Sequence, residues 1–140
     1  MMHNFKELRI WQQAMDIARF SYQITKEFPR EEVFGLTSQM KISSVSIPSN
    51  IAEGCGRGTN AQLIHFLDIS IGSSCELETQ IILDKDFDFC SKEKFDQWTS
   101  QVNSFQRQTR VFRERLAKNN FEDVGKWMID VGYWTLDYVK

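Results

Sequence analysis

The chain has 140 residues, a formal net charge of −2 and an isoelectric point near 5.7. That length suits one domain, and the acidic balance argues against a dedicated nucleic-acid binder, which is usually basic overall. With 41% hydrophobic residues, 26% charged residues and a mean hydropathy of −0.41, the composition is that of a globular protein and excludes an integral membrane protein.

No run approaches the roughly 20 apolar residues of a spanning helix. Residues 1–10 lack the continuous apolar core of a secretion signal. Cys55, Cys75 and Cys90 make an odd count without C-x-x-C spacing, which suits a reducing cytosol better than a disulfide scaffold. The expected location is therefore cytoplasmic.

Helical periodicity dominates, and the chain reads as four long helices and a tail. The first is expected from about Lys6 to Phe28, stopped by Pro29. Leu8, Trp11, Met15, Ala18 and Tyr22 form one apolar stripe; Ile10, Ala14, Ile17, Ile24 and Phe28 form a second. Together they make a face wider than a peripheral bundle helix needs, which points to a second burial surface, either between subunits or for the tail.

The second helix is expected from about Phe34 to Ala52, with Leu36, Met40, Val45, Ile47 and Ile51 as apolar contacts. Ser43, Ser44, Ser46 and Ser49 are small enough for a neighbouring backbone to come close. Pro48 removes a donor and predicts a bend. Gly54, Gly56 and Gly58 end the helix.

The third helix is expected from Thr59 or Asn60, both good N-caps, to Phe87. Its apolar residues point in nearly every direction, which predicts a helix buried all round. Ser70, Gly72, Ser73, Ser74 and Cys75 form a small-residue waist expected to face the serines of the second helix.

The fourth helix follows Ser91 and ends near Lys118. Phe95, Trp98, Val102, Phe105, Thr109, Phe112 and Leu116 keep alternating 3–4 spacing, the pattern of a bundle seam. After Asn119-Asn120, residues 121–140 carry Trp127, Val131, Trp134 and Tyr138 at i, i+4, i+7 and i+11. So much aromatic surface is expected to pack on the bundle or on a neighbouring subunit. The acidic residues Glu122, Asp123, Asp130 and Asp137 argue against a membrane-surface helix.

Candidate chemistry is sparse. A di-metal bundle centre needs Glu-x-x-His pairs, but position 62, three before His65, is glutamine, and no metal or cofactor is expected. Cys55 has no sequence-adjacent histidine base. Gly54-Cys55-Gly56-Arg57-Gly58 lacks the Lys-Ser/Thr of a P-loop, so a tight interhelical turn is the default. Glu53 and Glu76 are expected in hydrogen-bonded roles at the waist with Arg57 as a partner, and Glu53 and Arg57 are expected to fasten the turn between the second and third helices. Arg107, Arg110, Arg113, Arg115 and Lys118, opposed only by Glu114, concentrate positive charge at the end of the fourth helix. They suit its dipole and a solvated face, and they are also the candidates for contacting nucleic-acid phosphates.

Two blocks carry a family resemblance. One is Phe34-Gly35-Leu36-Thr37-Ser38-Gln39 followed by Ser46-Ile47-Pro48-Ser49-Asn50-Ile51-Ala52-Glu53-Gly54, with Arg57. The other is Phe66-Leu67, Gly72-Ser73 and Glu76-Leu77-Glu78, and the opening Phe5-Lys6-Glu7-Leu8-Arg9-Ile10-Trp11 agrees with it. Over roughly residues 3–118 the chain resembles the small bacterial bundle family linked to intervening sequences of 23S rRNA genes, also called the S23 ribosomal protein family. The structural signature residues are Ser46, Pro48, Asn50, Glu53, Gly54, Arg57, Gly72, Ser73 and Glu76. The resemblance implies an up-down four-helix bundle assembled as a homopentamer, with no known enzyme activity. Related accessory proteins of diversity-generating retroelements form basic rings that bind a reverse transcriptase and nucleic acid. Where the family often has arginines, this chain has Met40-Lys41-Ile42-Ser43-Ser44.

The combined expectation is an all-α, antiparallel up-down four-helix bundle over residues 1–118 with a short aromatic-rich extension at 119–140. Its expected role is non-catalytic and oligomeric, with an RNA association. The alternative is a protein–protein adaptor that recruits a partner without RNA.

Overall fold

The computed structural model describes residues 4–118; the expectations for the tail at 119–140 lie outside the described residues. Four α-helices follow in order: α1 Arg9–Thr25, α2 Leu36–Cys55, α3 Asn60–Asp86 and α4 Lys92–Lys118. Short 3-10 turns occupy Phe5–Glu7 and Arg30–Glu32. Among the described residues there is no strand.

The first helix is shorter than its apolar pattern suggests. Leu8 is extended, at φ −74° and ψ 127°, and separates the Phe5–Glu7 turn from α1. At the other end, Ser21 Oγ donates to the Ile17 carbonyl at 2.8 Å and Thr25 Oγ1 to the Ser21 carbonyl at 2.9 Å. Such back-bonding satisfies buried hydroxyls within the helix. Phe28 then adjusts to Pro29 outside regular α-helix.

α2 runs through the buried Pro48 as one continuous α-helix and ends at Cys55. The Glu32 carboxylate accepts the Leu36 N–H at its start, at 3.2 Å. α3 begins on Thr59, whose hydroxyl accepts the Gln62 N–H at 3.2 Å. It ends in a Schellman motif: Phe89 N–H bonds to the Asp84 carbonyl and Asp88 N–H to that of Lys85. Asp88 takes the left-handed position, φ 60°, where glycine is commoner. Ser91 caps α4 by accepting the Lys94 N–H.

The topology follows from paired residues. Between α2 and α3, Ser43 meets Gln80, Ser46 meets Ser73 and Ile47 meets Ser70, so numbers rise on one helix as they fall on the other. Between α3 and α4, Gln106 reaches Ser74 and Arg113 reaches Asp68. Between α4 and α1, Lys94 pairs with Glu27 and Trp98 with Ser21. All three pairs are antiparallel, which makes α1 and α2 antiparallel as well. Each helix packs on its chain neighbours, and α4 closes the ring on α1. The result is a four-helix bundle.

The core holds Ile10, Ala14, Ile17 and Ile24 of α1, Met40, Ile47 and Ile51 of α2, Leu63, Leu67, Leu77 and Ile81 of α3, and the α4 seam from Trp98 to Leu116. Two expectations need correction. α3 is not buried all round in the single chain, because Ile69, Ile82 and Leu83 lie on its open face. Gly72 does not face α2 either; a Cβ there would meet nothing within 4 Å. The tight approach is at Gly54, where a Cβ would stand 2.8 Å from Phe66 Cβ and 3.0 Å from Leu63 Cδ1.

Candidate nucleic-acid interface

The cations at the end of α4 divide by helical phase. Arg107, Arg110 and Lys118 share one outer row with Glu114, spaced three and four residues apart, and all four are exposed. Arg113 lies to one side, half-buried against α3. Its guanidinium is held by both oxygens of Asp68, with Nη2 donating to Oδ2 at 3.1 Å. Those hydrogen bonds, and then the carboxylate's charge, raise the Arg113 pKa further. Arg115 is exposed beside the row. The exposed row presents three positive groups to solvent on a rigid helix, a geometry suited to phosphate oxygens.

Asp68 was not legible as a partner from the sequence. It lies 45 residues from Arg113, and only the α3–α4 register brings the two together.

Three signature residues, Ser46, Asn50 and Ser73, join Ser43, Ser70 and Gln80 in a polar ladder along the α2–α3 seam, away from the α4 row. Ser46 and Ser73 hydroxyls bond at 2.8 Å. Asn50 Nδ2 donates to the Ser46 carbonyl at 2.8 Å and to its hydroxyl at 2.9 Å. Ser70 Oγ donates to the Ile47 carbonyl one turn before Ile51, and Ser43 Oγ donates to Gln80 Oε1 at 2.7 Å. Pro48 and Gly54 are buried.

At the lower end of the seam, Arg57 donates to Glu53 at 3.0 Å and lies over the Phe66 ring, 5.1 Å from its centroid. Both members of that pair are exposed. Glu76 is elsewhere: it accepts from Gln80 at 3.4 Å, level with Ser43. Ten residues of α3 separate Phe66 from Glu76, about 15 Å along the axis. Glu53 and Arg57 pair at the turn as expected, but Glu76 does not join them.

Cys55 is buried, and burial pushes its thiol up to about 12, well away from a reactive thiolate. His65 is exposed on α3, with its ring edge-on to Phe66. No cluster of three or more His, Cys, Asp or Glu among the described residues is placed to hold a metal ion. No described helix is long and apolar enough to cross a membrane.

One further acid lies inside the bundle. Asp84 is fully buried, and neither carboxylate oxygen has a hydrogen-bond partner. Burial, and then the nearby Glu32 charge, raises its pKa to about 8. The signal was present in the spacing, since Asp84 follows Leu77 and Ile81 on the buried face of α3.

The family model for the 23S rRNA-intervening sequence protein matches residues 6–110, three quarters of the chain. The chain belongs to that family. The match takes in α1, α2, α3 and most of α4, including Arg107 and Arg110. Among solved structures, a protein of unknown function from the S23 ribosomal protein family of Bacteroides thetaiotaomicron is similar, with a TM-score of 0.70 and 18% identity. The likeness covers 75% of this chain and 95% of that one, and at such identity it shows a shared fold. No functionally curated protein matches.

Proposed function

We propose that this protein is a non-catalytic, self-associating bundle that contacts RNA phosphates through the outer row of α4. The observation that carries the reading is the alignment of Arg107, Arg110 and Lys118 on one exposed line, with Glu114 as the opposing charge in that line. Membership of a family linked to 23S rRNA intervening sequences makes RNA the natural source of those phosphates. Self-association would bring several copies of a short row together and multiply a weak electrostatic contact.

A non-catalytic role is supported by the scatter of the titratable groups. Glu53 and Arg57 neutralise each other at the surface, Glu76 is apart from them and Cys55 is buried. Self-association is supported by the apolar side chains on the open faces of α2 and α3: Ile42, Ile69, Ile82 and Leu83.

Fluorescence anisotropy of labelled RNA, with wild type and the Arg107→Ala/Arg110→Ala variant, tests the RNA contact. Binding at low salt that the variant weakens at least tenfold is expected; absence of wild-type binding at low salt overturns the reading. Light scattering at micromolar concentration tests self-association, and a strictly monomeric mass contradicts it.

A second reading is recruitment of a protein without RNA. It is favoured by Phe34, which is 97% exposed beside Val33, at the same end of the bundle as the exposed Phe87. Parallel RNA and protein pulldowns separate the two readings.

A further inference from the structure

The side of α1 that faces α2 is only partly covered. Trp11, Met15 and Ala18 are half-buried, and Tyr22 is 40% exposed. Their i, i+4, i+7, i+11 spacing makes one stripe about 16 Å long. From α2, Lys41 Nζ lies 5.0 Å from the centre of the Tyr22 ring. Val45, one turn farther along α2, is 42% exposed. The Tyr22 end opens into a shallow groove lined by Ala18, Arg19, Tyr22, Gln23 and Lys26. This surface is an apolar strip with Lys26 and Lys41 at its rim and Arg19 already paired to Asp16 at 3.2 Å, so the cover that fits it is apolar and acidic toward the two lysines.

We propose that residues 127–138 of the same chain dock along this α1–α2 groove. The spacing matches: Trp127, Val131, Trp134 and Tyr138 repeat at the same i, i+4, i+7, i+11 interval as the stripe on α1. In a helix these four residues share one face of the same length as the strip. The charge matches too. Residues 119–140 carry Glu122, Asp123, Asp130 and Asp137 against Lys126 and Lys140. Asp123, Asp130 and Asp137 recur every seven residues, which places them on one flank of that face.

The reach is sufficient. α4 runs antiparallel to α1, so its last described residue, Lys118, lies at the Trp11 end of the bundle, about ten residues of register, or ~15 Å, beyond Trp11 itself. Residues 119–126 span up to about 28 Å when extended, whereas neighbouring helix axes lie about 8–10 Å apart. Trp127 then enters beside Trp11, and Tyr138 arrives near Tyr22. The segment runs parallel to α1 and closes the groove with its own aromatic side chains.

Carbodiimide cross-linking of the full chain tests this docking, with equal amounts of ¹⁴N- and ¹⁵N-labelled protein mixed at low micromolar concentration. Links from Lys26 or Lys41 to Asp137 within single-isotope chains are the expected result. They should disappear in the full-length Trp127→Asp/Trp134→Asp variant while its far-UV helical signal persists. Links divided at random between the isotopes place the segment on a second copy. Absence of any link to residues 119–140 leaves the groove without this cover. Either result overturns the proposal, as does persistence of the links in the variant.

Discussion

Inside the bundle the indole N–H of Trp98 donates to Ser21 Oγ at 3.0 Å, with both residues fully buried. Ser21 in turn donates its hydroxyl hydrogen bond to the Ile17 carbonyl at 2.8 Å, so one small hydroxyl satisfies the polar group of the largest core residue. Ser21→Ala should leave a buried N–H without a partner and cost about 1–3 kcal/mol in urea unfolding. In the Ser21→Ala background, Trp98→Phe should cost less than it does in wild type, because the orphaned donor is gone. Equal cost in both backgrounds would show that the bond does not couple the two residues.

Gly54 and Gly72 should respond oppositely to alanine. At Gly54 the added methyl collides with Phe66 Cβ and Leu63, and the α2–α3 contact must spread. A loss of about 1–3 kcal/mol is expected there. At Gly72 the methyl meets nothing, and replacing a helical glycine should gain about 0.5–1 kcal/mol. Thermal unfolding of the two variants checks the pair, and equal effects would contradict the assigned geometry.

Asp84 should make stability depend on pH. The unfolded side chain releases its proton near the usual 3.8, and the folded one near 8, because burial and then Glu32 disfavour its charge. Between those values the folded state holds one more proton, so this group's contribution falls as pH rises. Cys90 lies close enough to feel the Asp84 charge, and Lys85 and Lys94 near that thiol oppose it. Relative to Asp84→Asn, wild type should lose on the order of 4 kcal/mol between pH 5 and pH 8. Parallel urea-unfolding stabilities for the two proteins across that range would refute the assignment.

Periodicity resolved some parts of this molecule and misjudged others for identifiable reasons. The α4 seam was legible because Trp98, Val102, Phe105, Thr109, Phe112 and Leu116 follow one phase without interruption, and all are buried. Of the α2 serines, Ser43 and Ser46 meet α3, at Gln80 and Ser73, while Ser44 bonds back to the Lys41 carbonyl, Ser49 is exposed and Gly72 is not among the partners. Gly72 is one residue from Ser73, and about 100° of helical rotation turns it to the outside. The apolar residues of α3 suggested burial on every side, yet composition alone does not show whether Ile69, Ile82 and Leu83 face their own chain. In the α4 site, the row of Arg107, Arg110 and Lys118 could be read from spacing. The capture of Arg113 by Asp68 could not, because it depends on how α3 and α4 meet.

The salt dependence of RNA binding tests the central claim most directly. If Arg107 and Arg110 contact phosphates, the slope of log K against log salt should become shallower by about 1.4–1.8 in Arg107→Ala/Arg110→Ala, because each lost contact removes roughly 0.7–0.9. Both side chains are exposed, so the variant should keep its fold. A slope unchanged from wild type, or no RNA binding by wild type at low salt, would contradict the claim that the α4 row is a phosphate-contacting surface.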